Sequence, residues 1–434
     1  MGHLVAKDLY TRLGEKIDHL SMRVPNNEAF YALLKEVFTH DQAELVAAMP
    51  YALSSFRKVQ QTTGIEETRL RQLLDIVCDK GLVIDIKIKG EYHYMPSPMV
   101  IGIFEFTMMR TGPDTRSKRW AELFNQYLSG DDSLYAANFK DGQQVSVMRT
   151  LVHKESLAPE VFAEILDYEK AEAIIEQAHQ YSIGICSCRH EKHHTGEKTC
   201  KVPLDGCTSF DSGASYLIHH GLARPSSKSE MLEILARSKE MGLVLNADNV
   251  QRHVSFMCHC CSDCCNCLRG ISQFGYANTV VTSNFMAEII DEECPGCGAC
   301  EKACPINAIE AIPIKHPTTK KKKQFRVDSS ICIGCGVCAL KCKIKGSLRM
   351  VKRPQRVLYP ETTIQRVIAQ SLERGTLPYQ IFSHPQSKTH EYMRAVLGAF
   401  LNLPVVKKTL MSAVLESRFF SNLCIKMESR GFSG

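Results

Sequence analysis

The sequence predicts a multidomain α+β protein, on three observations. At 434 residues the chain fills about three domains at ~150 residues each. Its hydrophobic period switches from helical to alternating and back. Eighteen of its 20 cysteines crowd between Cys186 and Cys342. A hydrophobic content of 44% with 23% charged residues is ordinary for a globular protein. The opening MGHLVAKDLY has no apolar signal-peptide core, which points to the cytoplasm. The longest apolar stretch, residues 395–406, is broken by Asn402 and Pro404 and falls short of the ~20 residues that cross a bilayer, so no transmembrane segment is expected. Twenty cysteines in a reducing compartment indicate metal rather than disulfides. Cys78 and Cys424 stand apart and read as small buried hydrophobes.

Residues 27–38 and 42–48 carry apolar positions at helical spacing, and a third helix covers 54–62 before Gly64 ends it. Residues 66–80 put Leu70, Leu73, Leu74 and Val77 on one face, with Gly81 as the stop. The period then becomes two: Val83, Asp85, Lys87 and Lys89 alternate with Ile84, Ile86 and Ile88, and Lys89-Gly90-Glu91 turns the chain into a second strand over 92–95. Helices followed by a hairpin make residues 1–97 winged-helix-like. Residues 98–155 read as a helical link, with a helix pair over 98–132 that contains the single tryptophan, Trp120. Residues 156–285 form the cysteine-rich middle. There a helix over 168–179, capped by Asp167, precedes a short strand over 182–186 that delivers the first cysteines. A capping box from Ser227 to Glu230 starts a helix with Met231, Ile234, Leu235 and Met241 inward, and Gly242 stops it. Residues 286–350 hold two regular cysteine runs, and 351–434 form a helical tail, where Ile364, Val367, Ile368 and Leu372 mark an amphipathic helix ended by Gly375. Such a tail packs on the rest of the protein or serves as a docking arm for a partner complex or a membrane surface.

Cys294-Pro-Gly-Cys297-Gly-Ala-Cys300-Glu-Lys-Ala-Cys304-Pro305 has the spacing C-x2-C-x2-C-x3-C-P, and Cys332, Cys335, Cys338 and Cys342 repeat it without the proline. Three thiolates two residues apart wrap three corners of a 4Fe-4S cubane, while Gly296, Gly298, Gly334 and Gly336 let the backbone come close. Structural zinc also uses C-x2-C pairs, but has no need of a third and fourth cysteine at this spacing. Because the fourth cysteine of such a run serves the opposite cluster in two-cluster ferredoxins, Cys294, Cys297 and Cys300 pair with Cys342, and Cys332, Cys335 and Cys338 with Cys304. Over residues 286–350 the sequence resembles the bacterial dicluster ferredoxins. The resemblance implies a pseudo-twofold βαββαβ module holding two 4Fe-4S clusters within electron-transfer distance. Lys343 stands where many members have proline, and a basic insertion, Lys320 to Lys323, lengthens the link between the runs. Neither departure removes a ligand.

Upstream, Cys186-Ser-Cys188-Arg189 is followed by Cys200 and Cys207, and then by the block Cys258, Cys260, Cys261, Cys264, Cys265 and Cys267. Ten thiols exceed the need of one metal. They fit one cluster with spare thiols, two clusters, or a cluster plus zinc, with individual ligands unassigned. His190, His193, His194, His219, His220, His253 and His259 lie nearby, and His259, inside the cysteine block, is the foremost candidate among them for a ligand or proton relay. With its winged-helix-like start, C-x-C-R segment, cysteine-dense block and paired runs, the whole chain resembles a family of uncharacterised 4Fe-4S-binding proteins of anaerobes. That resemblance implies further iron-sulfur chemistry and no particular reaction.

Charge is unevenly spread: from Glu301 onward there are 23 Lys plus Arg against 8 Asp plus Glu, within a chain of net charge +6. A basic end suits an acidic redox partner such as a ferredoxin or flavodoxin. The leading expectation is therefore an electron-transfer protein, on its own or as an oxidoreductase component. The alternatives are a redox-sensing winged-helix regulator and a reductase working at the middle cysteines. Against the regulator, the helix that would read DNA sets Glu66, Glu67, Asp75 and Asp79 against Arg69, Arg71 and Lys80, a balance that repels phosphates and argues against nucleic acid. No Walker loop or dinucleotide fingerprint occurs.

Overall fold

A computed structural model describes residues 8–112, 115–140, 142–313, 323–344 and 346–414. Cys424, residues 320–322 of the basic insertion and the tail beyond 414 lie outside the described residues.

The first helices, Leu9–Asp18, Glu28–Val37 and His40–Ala48, bury Leu13, Phe30, Leu33 and Leu45 together. Asn27 caps the second by accepting the Phe30 N–H, as short polar N-caps do. Strand β1 (Ser54–Ser55) leads into helices Phe56–Thr63 and Glu67–Asp79, then β2 (Val83–Ile88) and β3 (Glu91–Pro96). The antiparallel sheet runs β1-β3-β2. The two residues between β2 and β3, Lys89 (φ 50°) and Gly90 (φ 91°), are both left-handed, the backbone of the type I′ turn that matches strand twist. A Cβ on Gly81 (φ +70°) would stand 2.3 Å from the Phe106 Cβ, so this helix stop is also where the next segment crosses.

That segment begins with an irregular turn, Met99–Ile103, in which Ile101 is left-handed (φ 53°, ψ 55°). The Glu105 carboxylate pins the turn by accepting the Gly102 N–H at 3.1 Å. The helix that follows, Phe104–Met109, lies against Ser187–Thr195: Ser187 Oγ donates to the Glu105 carbonyl at 2.9 Å and His190 Nδ1 to that of Met108 at 2.6 Å. Helices Ser117–Ser129 and Ser133–Phe139 complete the region. Residues 98–155, expected to be a helical link, also supply β4 (Met148–Leu151), buried at every position. A strand covered on both faces shows no alternation, which is why the pattern hid it.

β4 is one edge of a six-stranded antiparallel sheet ordered β4-β8-β9-β6-β5-β7. Its other strands are β5 (Tyr181–Ile185), β6 (Asp205–Phe210), β7 (Ala223–Ser226), β8 (Val244–Asp248) and β9 (Phe256–Cys260). The helix expected over 168–179 is shorter, a single 3₁₀ turn at Asp167–Glu169 and then Ala171–Gln177. Helix Lys228–Met241 starts at Ser227, which accepts the Glu230 N–H, and ends at left-handed Gly242. The box is only half formed, because the Glu230 carboxylate turns to Arg224 and Ser226. Met231 and Ile234 point inward, but Met241 is 36% exposed.

Next come β10 (Phe285–Ile289), helix Ala299–Ala303, β11 (Ile309–Pro313), β12 (Lys323–Val327), helix Val337–Lys341 and β13 (Leu348–Lys352). β10 pairs with β13 and β11 with β12, a βαββαβ order. The tail doubles back. Its helix Thr363–Arg374, closed by left-handed Gly375, buries Ile368, Ala369 and Leu372 together with Gln370, Glu373 and Arg374. Glu373 accepts the N–H groups of Gln144 and Val145 at 2.7 and 3.0 Å, and Arg374 donates to Asn138 Oδ1 and the Val145 carbonyl at 2.7 and 2.8 Å. Further along, the Tyr51 N–H reaches the Ser383 carbonyl at 3.0 Å. Among the described residues no helix is long and apolar enough to cross a membrane.

Burial raises the Glu105 carboxyl from 4.5 to about 7, and the half-buried residue lines a pocket of the middle cysteines. A raised carboxyl makes stability full below the unfolded value of about 4.5, with loss as pH rises through about 7. A shift of that size is worth roughly 3 kcal/mol. Glu105→Gln should therefore match the wild type at pH 4.5 and exceed it by that amount at pH 8 in anaerobic urea unfolding. Parallel pH profiles for the two proteins would contradict this.

Candidate metal centres

In the βαββαβ module the two runs adopt one backbone twice. Gly296 and Gly298 have φ of 76° and 74°, and Gly334 and Gly336 have 72° and 83°, the left-handed region that glycine enters without strain. The second glycine of each pair is the N-cap of the short helix carrying the third cysteine, and the fourth cysteine, Cys304 or Cys342, is its extended C-cap. A Cβ on Gly334 would lie 2.1 Å from the Phe285 carbonyl oxygen, and one on Gly336 would lie 2.3 Å from Ser156 Oγ. The runs could not close around a cluster this tightly with larger residues.

Cys294, Cys297, Cys300 and Cys342 surround one enclosed space, and Cys304, Cys332, Cys335 and Cys338 surround another. The two spaces are nearly equal in size. The first reaches the surface through exposed Cys297, whereas Cys332, Cys335 and Cys338 are buried. The Ala308 N–H points at Cys304 Sγ (3.1 Å), and Ser347 Oγ lies 3.2 Å from Cys342 Sγ. Burial pushes the Cys335 thiol up to about 12 and raises Cys300 and Cys304, which disfavours free thiolates there and leaves a bound metal to compensate their charge. Four thiols per space, a glycine cradle and N–H donors to sulfur fit a 4Fe-4S cluster in each.

The middle cysteines are delivered differently. Strand alternation puts Cys258 and Cys260 on one face of β9, and Cys207 of β6 stands opposite Cys258. Cys186 and Cys265 are the N-caps of helices Ser187–Thr195 and Asn266–Ser272, with Cys188 and Cys267 in the first turns. These seven thiols form a connected set in which neighbours influence one another's charge: Cys188 with Cys186 and Cys265, Cys265 with Cys260 and Cys267, and Cys258 with Cys260 and Cys207. Together with Cys261, Cys264 and Arg189 they line one cavity larger than either module site, whose remaining wall includes Ile101, Glu105, Phe106, Met109 and Leu217. Contact with Cys188 and burial raise the Cys186 thiol.

Arg189, 1% exposed, has no carboxylate partner among the described residues; its Nη2 donates to the His259 carbonyl and its Nη1 to that of Pro203 (3.2 Å). Burial opposes its charge, and the neighbouring Cys186, Cys261 and Cys260 sulfurs outweigh that and hold it. A buried guanidinium without a carboxylate requires another anion, and a thiolate-bound metal group supplies one. Of the ten upstream cysteines, Cys200, Cys261 and Cys264 form a tight group with Asp263 at the cavity's edge, which Cys261 and Cys264 also line. Asp263 was not anticipated, although a carboxylate inside Cys261-Ser-Asp-Cys264 is the signal that could have found it.

The histidines are otherwise engaged. His259, buried and pushed down to about 3 by burial, faces away from the cavity thiols, with Ser238 Oγ at 2.7 Å from Nδ1 and Thr208 Oγ1 at 3.3 Å from Nε2. His190 is held between the Met108 carbonyl and His194. His220 bridges Asp79 (3.0 Å) and Asp85 (2.8 Å), and His193, His219 and His253 are exposed.

Residues 293–345 match the 4Fe-4S dicluster domain family. Ferredoxin-1 of Chlorobaculum tepidum is 39% identical over 64 residues, 14% of this chain and the whole of that protein. An uncharacterized protein from the rpl9-rpl11 intergenic region of Porphyra purpurea is 32% identical over 66 residues, 15% of this chain and 85% of the relative. No solved structure matches the chain. Through this module, whose ferredoxin relative is matched along its full length, the chain belongs to the 4Fe-4S dicluster ferredoxin family.

Proposed function

We propose that this protein carries single electrons between a surface partner and the thiol cavity of its middle domain, as a component of an anaerobic redox system. The observation that carries this reading is one continuous buried core containing Cys260 and Cys265 of the cavity together with Cys300, Cys332, Cys335 and Cys338 of the module. Bound 4Fe-4S clusters supply one-electron couples tuned by burial and by hydrogen bonds to sulfur. The chain's part is to hold them in order. Cys294, Cys297, Cys300 and Cys342 form the outer site, and Cys304, Cys332, Cys335 and Cys338 the inner one. The seven cavity thiols hold further iron at the far end. Inner site and sheet are bound together where the His153 N–H donates to the Cys335 carbonyl at 3.1 Å while its Nε2 donates to that of Leu243, just ahead of β8, at 2.8 Å.

Lys302 and Lys343 stand exposed beside Cys300 and Cys342, which supports an acidic ferredoxin or flavodoxin as partner at the outer site. The winged-helix-like domain serves as a packing module in this reading, not a DNA reader. Arg71 on its helix Glu67–Asp79 is paired with Glu67 at 2.7 Å and Arg69 with Asp41, and its hairpin is engaged by the middle domain through Asp85–His220 and the Tyr92–His219 ring stack. A reductase reading is favoured by one observation, Glu105 on the cavity wall with a carboxyl near 7, where it can hold a proton beside the thiols. Under that reading small anionic or neutral oxidants change the spectrum of the middle site; full indifference to them contradicts it.

Ligand assignment is tested by paired variants. Cys342→Ser and Cys294→Ser should each remove about four iron per chain, and the double variant no more than that, whereas Cys342→Ser with Cys335→Ser should remove about eight. Losses of about eight for the first pair and four for the second would reverse the assignment. Electron uptake from a reduced acidic ferredoxin should slow steadily between 50 and 500 mM salt as charge is screened. A flat dependence would remove the basic docking face.

A further inference from the structure

We propose that Cys200, Cys261 and Cys264, with the Asp263 carboxylate, form a mononuclear tetrahedral zinc site separate from every iron-sulfur site in the chain. The spacing of the sulfurs decides between one ion and a cluster. Cys200 Sγ lies 3.7 Å from Cys261 Sγ and 3.9 Å from Cys264 Sγ. Two sulfurs bound tetrahedrally to one zinc at about 2.3 Å stand about 3.8 Å apart. All four donor atoms lie within 4.8 Å of one another. Thiols on a cubane sit on different irons and spread wider. Among the described residues no three of the module cysteines, and no three of the seven cavity thiols, make such a tight group.

The surroundings fit a closed structural site. Cys261-Ser-Asp-Cys264 is a C-x2-C pair, the commonest half of a zinc site. The Asp263 carboxylate is oriented by the Cys200 N–H at 2.7 Å and by the Thr199 N–H and hydroxyl, both at 3.2 Å, the kind of support that ligating carboxylates receive. Val202 and Leu243 pack on the three cysteines. Three thiolates and a carboxylate leave a zinc centre with excess negative charge, and Arg189, in contact with Cys261, lies where it offsets that charge. With four protein donors the ion has no open position. Its work is mechanical: it ties the loop at Cys200 to the turn after β9, between Cys260 and Cys265, and so fixes where those two cavity thiols stand. This assignment is independent of the electron-transfer reading.

The test uses the full chain, purified anaerobically. Elemental analysis should find about one zinc per chain in addition to iron, and exchange with cobalt(II) should give the absorption of tetrahedral thiolate-bound cobalt. Cys264→Ser should lose the zinc and leave the reduced paramagnetic signals of the dicluster module unchanged; Asp263→Asn should weaken zinc binding by about tenfold or more. A chain without zinc that gives no tetrahedral cobalt spectrum overturns the proposal. So does a Cys264→Ser chain that keeps its zinc and loses about four iron. Should the cysteine variant fail to fold, the cobalt spectrum of the unaltered chain decides.

Discussion

Five residues, Val281 to Phe285, bind the dicluster module and the cysteine-rich sheet domain of this protein to each other through the main chain. On one side the Val281 N–H donates to the Met148 carbonyl at 3.0 Å and the Thr150 N–H to that of Val281 at 2.9 Å, joining the segment to β4 at the sheet edge. On the other side the Ser283 N–H donates to the Ile333 carbonyl at 3.0 Å, and its hydroxyl to that of Gly334 at 2.7 Å. Gly334 in turn passes so close to the Phe285 carbonyl that no side chain fits. Arg353 adds a clamp, reaching the Ser283 and Cys332 carbonyls from β13's end. Backbone hydrogen bonds at these buried positions leave little freedom, because breaking one strands a desolvated polar group. The inner site is therefore held at a fixed place relative to the thiol cavity.

The chain solves the problem of converging thiols in two ways. In the module, left-handed glycines bring a loop around each site, so the cysteines are close in sequence and their spacing is a motif. In the middle domain, strand alternation and two helix starts bring Cys207, Cys258, Cys260, Cys186, Cys188, Cys265 and Cys267 together from three separate segments. Such a site leaves only C-x-C pairs in the sequence, each too common to identify the chemistry. Arg189, buried without a carboxylate partner among the described residues, lies among Cys186, Cys260 and Cys261, whose sulfurs offset its charge where they are ionised.

Legibility follows from this difference. Helices 28–37 and 67–79 could be read because one face of each is buried and the other wet; the β2–β3 hairpin could be read from its alternating sequence and its turn, although Ile86 and Tyr92 are exposed. The two cysteine runs, with their glycines, were legible for the same local reason. β4 was not, since all its positions are covered, and the six-stranded sheet could not be inferred while its edge was taken for a link. The tail helix shows the opposite error: its apolar stripe was visible, but Gln370, Glu373 and Arg374 are buried with it, and Glu373 and Arg374 bind Asn138, Gln144 and Val145, which are distant in sequence. His259 drew attention by lying inside the cysteine block, yet alternation along β9 turns it to the opposite face, into a pair of hydroxyls.

The central claim is that electrons reach the middle thiol site through the inner site of the module. Rapid mixing of the anaerobic protein with a reduced low-potential ferredoxin, frozen at intervals and read by paramagnetic resonance and Mössbauer spectroscopy, tests it directly in the intact chain and in Cys338→Ser. The account predicts that the outer site is reduced at the same rate in both, while the middle site lags far behind in the variant. Equal reduction of the middle site in both proteins would contradict it.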